Sequence, residues 1–167
     1  MHRINSLAIF SLIIIVGLIQ ASAFDYISIL GAKPDLLLCL VVFFSLFSFT
    51  SDSVKAALTA GLLEDITSSS IFGGYTISFL LIALLLNYNR YKFFKEKPSA
   101  QIAIVSVSYL TVSLLALSFN LISHNMPLPH HPFLKVAIVG AAYAGLISPP
   151  IFFVLSKVFK VGIAASA

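Results

Sequence analysis

The chain has 167 residues, of which 59% are apolar and 10% charged, with ten Lys plus Arg against six Asp plus Glu. Soluble domains carry roughly 25% charged residues, so a free-standing soluble enzyme or regulator is excluded. The basic excess points to orientation in a membrane and contact with anionic lipid, not to a nucleic-acid partner.

The apolar residues are clustered. Leu7–Ile19, Leu36–Phe49 and Ile102–Ile122 contain no charge. A membrane crossing takes about 20 apolar residues, with a range of about 17–25. The pattern predicts an all-α polytopic membrane protein, one transmembrane helical domain over 1–167 with helices near 7–24, 35–49, 53–67, 75–86, 100–121 and 133–158. The first helix follows His2 and Arg3, and Asp25–Lys33 breaks the pattern after it. Pro34 and Asp35 reopen a helix, because proline suits a first helical turn and an acid there complements the helix dipole. Thr50–Ser53, with Asp52, reads as a tight polar turn. The third helix is the least apolar, holding Lys55, Glu64 and Asp65. Ser68–Ser70 reads as a loop, and Gly73–Gly74 leads into the fourth helix. Asn87–Pro98 holds the cytoplasmic basic loop Arg90, Lys92, Lys95 and Lys97, with Glu96 among them. His124–Pro132 precedes the sixth helix.

Six spans with both termini cytoplasmic place Arg3, Lys55, Arg90, Lys92, Lys95, Lys97, Lys157 and Lys160 inside, leaving Lys33 and Lys135 outside. That satisfies the positive-inside rule. Omitting the third helix would put Arg3 and the basic loop on opposite sides, so charge supports counting it. Ala21-Ser22-Ala23 also resembles a signal-peptide cleavage site, but the apolar run is long for one, and retention of the first helix is expected.

Glu64 and Asp65 are the most informative charges, since ionisable groups within a span usually face the bundle interior or water. Ala57, Ala60, Gly61, Glu64 and Asp65 share one helical stripe, while Leu58, Leu62 and Ile66 occupy another. Two readings stay open for the acids: a polar pocket or partner contact near the outer surface, or a helix end in interfacial water, capping the next turn. The pairs Gly17/Ala21, Ala141/Gly145 and Gly140/Ala144 favour close helix contact within the chain. Cys39 has no partner for a disulfide and reads as a small apolar residue. His124, His130 and His131 lack acidic or Cys neighbours with ligand spacing, so no metal site is expected. Tyr88, Tyr91, Phe93 and Phe94 beside the basic residues fit a membrane boundary. No phosphate-binding, dinucleotide, H-E-x-x-H or G-x-S-x-G motif occurs, so neither enzyme activity nor a cofactor is expected.

Gly31-Ala32-Lys33-Pro34-Asp35-Leu36-Leu37-Leu38, then Ala60-Gly61-Leu62-Leu63-Glu64-Asp65-Ile66, then Gly73 before an apolar helix, resembles the rod shape-determining protein MreD family. The motif positions are Pro34, Asp35, Gly61, Asp65 and Gly73; the second loop, Thr50-Ser51-Asp52-Ser53, departs from the expected glycine-richer pattern. The resemblance implies a non-enzymatic scaffold of the cell-elongation machinery in the bacterial inner membrane. Its implied partner is the bitopic protein MreC and, through it, MreB filaments and peptidoglycan synthases. It also implies a helix layout similar to the substrate-binding subunits of energy-coupling-factor transporters. That likeness supplies an alternative, a subunit for vitamin uptake. A small export or lipid-flipping protein is a third class.

Overall fold

The computed structural model describes residues 6–23, 34–68, 72–89, 97–122 and 133–159. These form six helices and no strand: α1 (Ser6–Ala23), α2 (Leu36–Phe47), α3 (Thr50–Thr67), α4 (Gly74–Asn89), α5 (Pro98–Ile122) and α6 (Phe133–Phe159). Within α5 and α6, Pro98–Phe119 and Leu134–Phe159 are long and apolar enough to cross a membrane. The apolar helices α1, α2 and α4 are shorter, and α3 is the most polar of the six.

The polar turn expected at Thr50–Ser53 is not a turn. It is the first turn of α3, and the connection from α2 shrinks to Ser48 and Phe49. The amides of Asp52 and Ser53 both donate to the Phe49 carbonyl at 3.0 Å, opening the helix there. Short polar side chains favour helix starts, and an acid in the first turn complements the dipole. Thr50 Oγ1 donates to Asn87 Oδ1 at 2.7 Å, tying this start to the end of α4.

Helix α2 sits at the centre and lies against each of the other five. Every residue from Leu37 to Phe47 is buried, the outcome expected for a helix apolar all round. At 12 residues it is about 18 Å long, well short of a hydrocarbon core about 30 Å thick. Its Phe43 meets Phe152 edge-on at 5.5 Å, and Phe44 meets Phe159 likewise at 5.5 Å. These ring pairs fasten α2 to α6 with the edge-to-face geometry aromatic quadrupoles favour.

The remaining helices form two pairs, α3 with α4 and α5 with α6, with α1 laid against α2 and α3. Small residues set the close approaches. A Cβ on Gly140 would run into the Tyr109 ring, and one on Gly145 into the Ser106 hydroxyl. Ser106 Oγ crosses from α5 to donate to the Ala141 carbonyl at 2.9 Å. Pro149 and Pro150 lie inside α6. Pro149 has no N–H for the Gly145 carbonyl one turn back, and the Ser148 hydroxyl donates to that carbonyl instead, at 2.7 Å.

Candidate functional site: a polar end where four helix termini meet

The chain direction brings the end of α1, the start of α2, the end of α3 and the start of α4 to one end of the bundle. Two of these are helix N-termini, whose first amides have no partner within the helix. Both are satisfied largely by side chains from neighbouring helices.

At α4 the carbonyl of Gly73 accepts the first helical bond, from the Ile77 amide at 3.0 Å. Gly73 therefore holds the N-cap position, with φ of +96°, and it has no side chain to cap with. Asp65, at the end of α3 and only 4% exposed, supplies the cap. Its Oδ1 accepts from the Tyr75 amide at 2.9 Å, and its Oδ2 accepts from the Thr76 amide at 3.1 Å and the Thr76 hydroxyl at 2.5 Å. An acid here also complements the positive end of the α4 dipole. Gly61, one turn earlier on α3, makes the approach possible: a Cβ there would sit 2.5 Å from Thr76 Cα.

At α2, Asp35 caps its own helix by accepting from the Leu38 amide at 2.8 Å. The two preceding amides turn to Gln20 of α1, whose Oε1 accepts from Leu36 at 2.9 Å and from Leu37 at 3.2 Å. Gln20 Nε2 then donates to Glu64 Oε2 at 3.2 Å. The consecutive acids of α3 thus serve different helices, Asp65 directly at α4 and Glu64 through Gln20 at α2.

Beside this network lies a cavity of roughly 440 Å³ between α1 and α3, with Leu37 of α2 also in its lining. Gln20, Glu64, Thr67 and Ser68 form its polar side, and Gly17, Leu18 and Leu63 its apolar side. Glu64 opens onto it and Asp65 does not.

The structure therefore gathers Asp35, Gly61, Glu64, Asp65 and Gly73 at one end, with Pro34, which is buried, immediately before the α2 cap. Ala57 is buried on the same α3 face but two turns away, about 12 Å along the axis. Lys97 is exposed at the start of α5, which belongs to the opposite end of the bundle. Arg90, Lys92, Lys95 and the three histidines 124, 130 and 131 lie outside the described residues. Among the described residues no group of side chains is arranged to hold a metal ion.

Gln20 and Thr76 are the members that sequence reasoning missed. Thr76 gives no signal, being one hydroxyl residue among several. Gln20 does give one, as the lone amide side chain in an otherwise apolar or hydroxyl-bearing helix. The opposite end holds a second network that was also missed. There Lys55 Nζ donates to Ser6 Oγ at 2.8 Å and lies 3.9 Å from the buried Asp52 carboxylate. Ser45 and Ser53 hydroxyls meet at 2.9 Å nearby.

In comparison with known proteins, the family model described as rod shape-determining protein MreD matches residues 1–158. No curated protein and no solved structure matches this chain.

Proposed function

Since the chain belongs to the MreD family of rod shape-determining membrane proteins, we propose that it is a non-enzymatic scaffold subunit of the bacterial cell-elongation complex. In this reading it pairs with an MreC-like bitopic protein, and through that partner acts on MreB-like filaments and lateral peptidoglycan synthesis. It lies in the inner membrane with six spans and both termini in the cytoplasm. The observation that carries the proposal is the family match over nearly the whole chain. It is supported by the nature of the polar end, where Glu64 and Asp65 join α3 to α1 and to α4. Such bonds make a rigid surface for a partner. Asp35, Glu64 and Gly73 lie partly exposed on that surface, the buried Asp65, Gly61 and Pro34 hold it from beneath, Ala57 keeps α3 close to its neighbours, and Arg90, Lys92, Lys95 and Lys97 face the cytoplasm.

Depletion should alter cell width, and the tagged chain should co-purify with the MreC-like protein. Reporter fusions should place both termini and the 90–97 connection in the cytoplasm. Normal shape after depletion, joined to lost uptake of one vitamin, would favour a transport subunit instead. The cavity beside Gln20 and Glu64 speaks for this second reading.

A further inference from the structure

The two polar networks, one holding Gln20, Glu64 and Asp65 and the other Ser6, Asp52 and Lys55, mark two levels along the bundle axis. At a helical rise of about 1.5 Å per residue, these levels stand about 21 Å apart on α1, from Ser6 to Gln20, and about 18 Å apart on α3, from Asp52 to Glu64. On α4 the interval from Thr76, bonded to Asp65, to Asn87, bonded to Thr50, is about 17 Å. The other side of the molecule is taller. Helix α5 has no charge from Pro98 to Ile122, and α6 has none between Lys135 and Lys157, about 33 Å apart. That height matches a hydrocarbon core about 30 Å thick, and the α1–α3 side falls short of it by about 10 Å.

Tilt does not remove the difference, because tilting shortens the rise of every helix along the membrane normal and cannot lengthen α1 or α3. Lys55, Gln20 and Glu64 are only half-buried, and hydrocarbon closing over them would strip water from a charge or an amide. Between the two levels the outward sides carry large apolar residues, Phe10, Ile14 and Leu18 on α1 and Leu58 and Leu62 on α3, all exposed. Small residues let membrane helices approach one another, and Gly17, Ala57, Ala60 and Gly61 are all buried. Large outward side chains fit lipid and not a docked helix. We infer that the α1–α3 side of the bundle seats a thinned patch of bilayer, taking short-chain phospholipid in preference to the full-length chains that suit α5 and α6. The inference rests on α1 and α3 crossing the membrane, as proposed above, and is independent of any role in cell shape.

The chain has no Trp, so a single introduced Trp reports its own lipid neighbours. The test places the full chain in vesicles of phosphatidylcholine with brominated oleoyl chains, which quench Trp, mixed with unbrominated phosphatidylcholine of shorter myristoleoyl chains. Leu62→Trp on α3 and Leu146→Trp on α6 both replace exposed residues. The short lipid should protect Leu62→Trp from quenching about threefold more effectively than Leu146→Trp. With unbrominated oleoyl lipid in its place, the two positions should behave alike. Thermal unfolding checks each variant, and Leu58→Trp, also exposed on α3, replaces Leu62→Trp if that variant does not fold. Equal protection by the short lipid at both positions overturns the thin side. In purely brominated vesicles, quenching at Leu146→Trp with none at Leu62→Trp also overturns it, by assigning the α3 face to a second copy of this chain. Quenching at neither position would reject the membrane reading itself.

Discussion

Asp65 accepts three hydrogen bonds from one helix start, and each is directional. Replacing it with Ala leaves the Tyr75 and Thr76 amides without that partner in a partly buried place. Loss of a cap costs about 0.5–2 kcal/mol, and hydrogen bonds to a charged group are worth about 1.5–3. Asp65→Ala should therefore lower stability by about 2 kcal/mol in a detergent unfolding assay, and Asp65→Asn, which keeps one accepting oxygen, should recover part of that. Gly61→Ala forces a methyl against the Thr76 backbone, so α3 and α4 must separate, at about 1–3 kcal/mol. Both substitutions act on Thr76, so Gly61→Ala combined with Asp65→Ala should cost less than the two added together. An additive result would show that the cap survives the separation. Neither effect was fully legible beforehand. A charge pair on a small-residue stripe marks Glu64 and Asp65 as unusual, yet nothing in the spacing says that the acids reach different helices.

At the level of the helices, α6 carries two consecutive prolines and continues through them to Phe159. Ser148 explains part of this, since its hydroxyl takes the carbonyl that Pro149 leaves without an amide. Ser148→Ala should cost about 1–2 kcal/mol in the native chain. The cost should shrink toward zero in a Pro149→Ala background, where a backbone amide is available again; this is a double-mutant cycle read by thermal unfolding. An unchanged cost in both backgrounds would assign Ser148 a different role. Five of the six helices are legible as apolar runs, which leave a membrane chain few alternatives to helix, and α3, with its four charges, is legible only through the charge bias of the flanking segments. The start of α3 is not, since Thr50, Ser51, Asp52 and Ser53 suit a turn and a helix start equally well. Tertiary contact decides it: Thr50 has Asn87 to bond to, 37 residues away.

Among the described residues, charged side chains lie toward the two ends of the bundle, and the central helix is the most apolar of the six. Sequence identifies α2 as apolar but not as central, because hydropathy alone cannot distinguish a helix facing lipid from one enclosed by other helices. Its shortness was also hidden, since the apolar run continues to Phe49 while the helix stops at Phe47. Enclosure by five neighbours has a consequence for biosynthesis. In the finished fold α2 shows no side chain from Leu37 to Phe47 to the bilayer, so it meets lipid only while the later helices are still being made. A chain stopped after α2 leaves a segment too short to span and without its cover. Such truncations should be degraded far faster than the full chain in a pulse-chase measurement, and half-life should rise once α6 has been synthesised to close the far side.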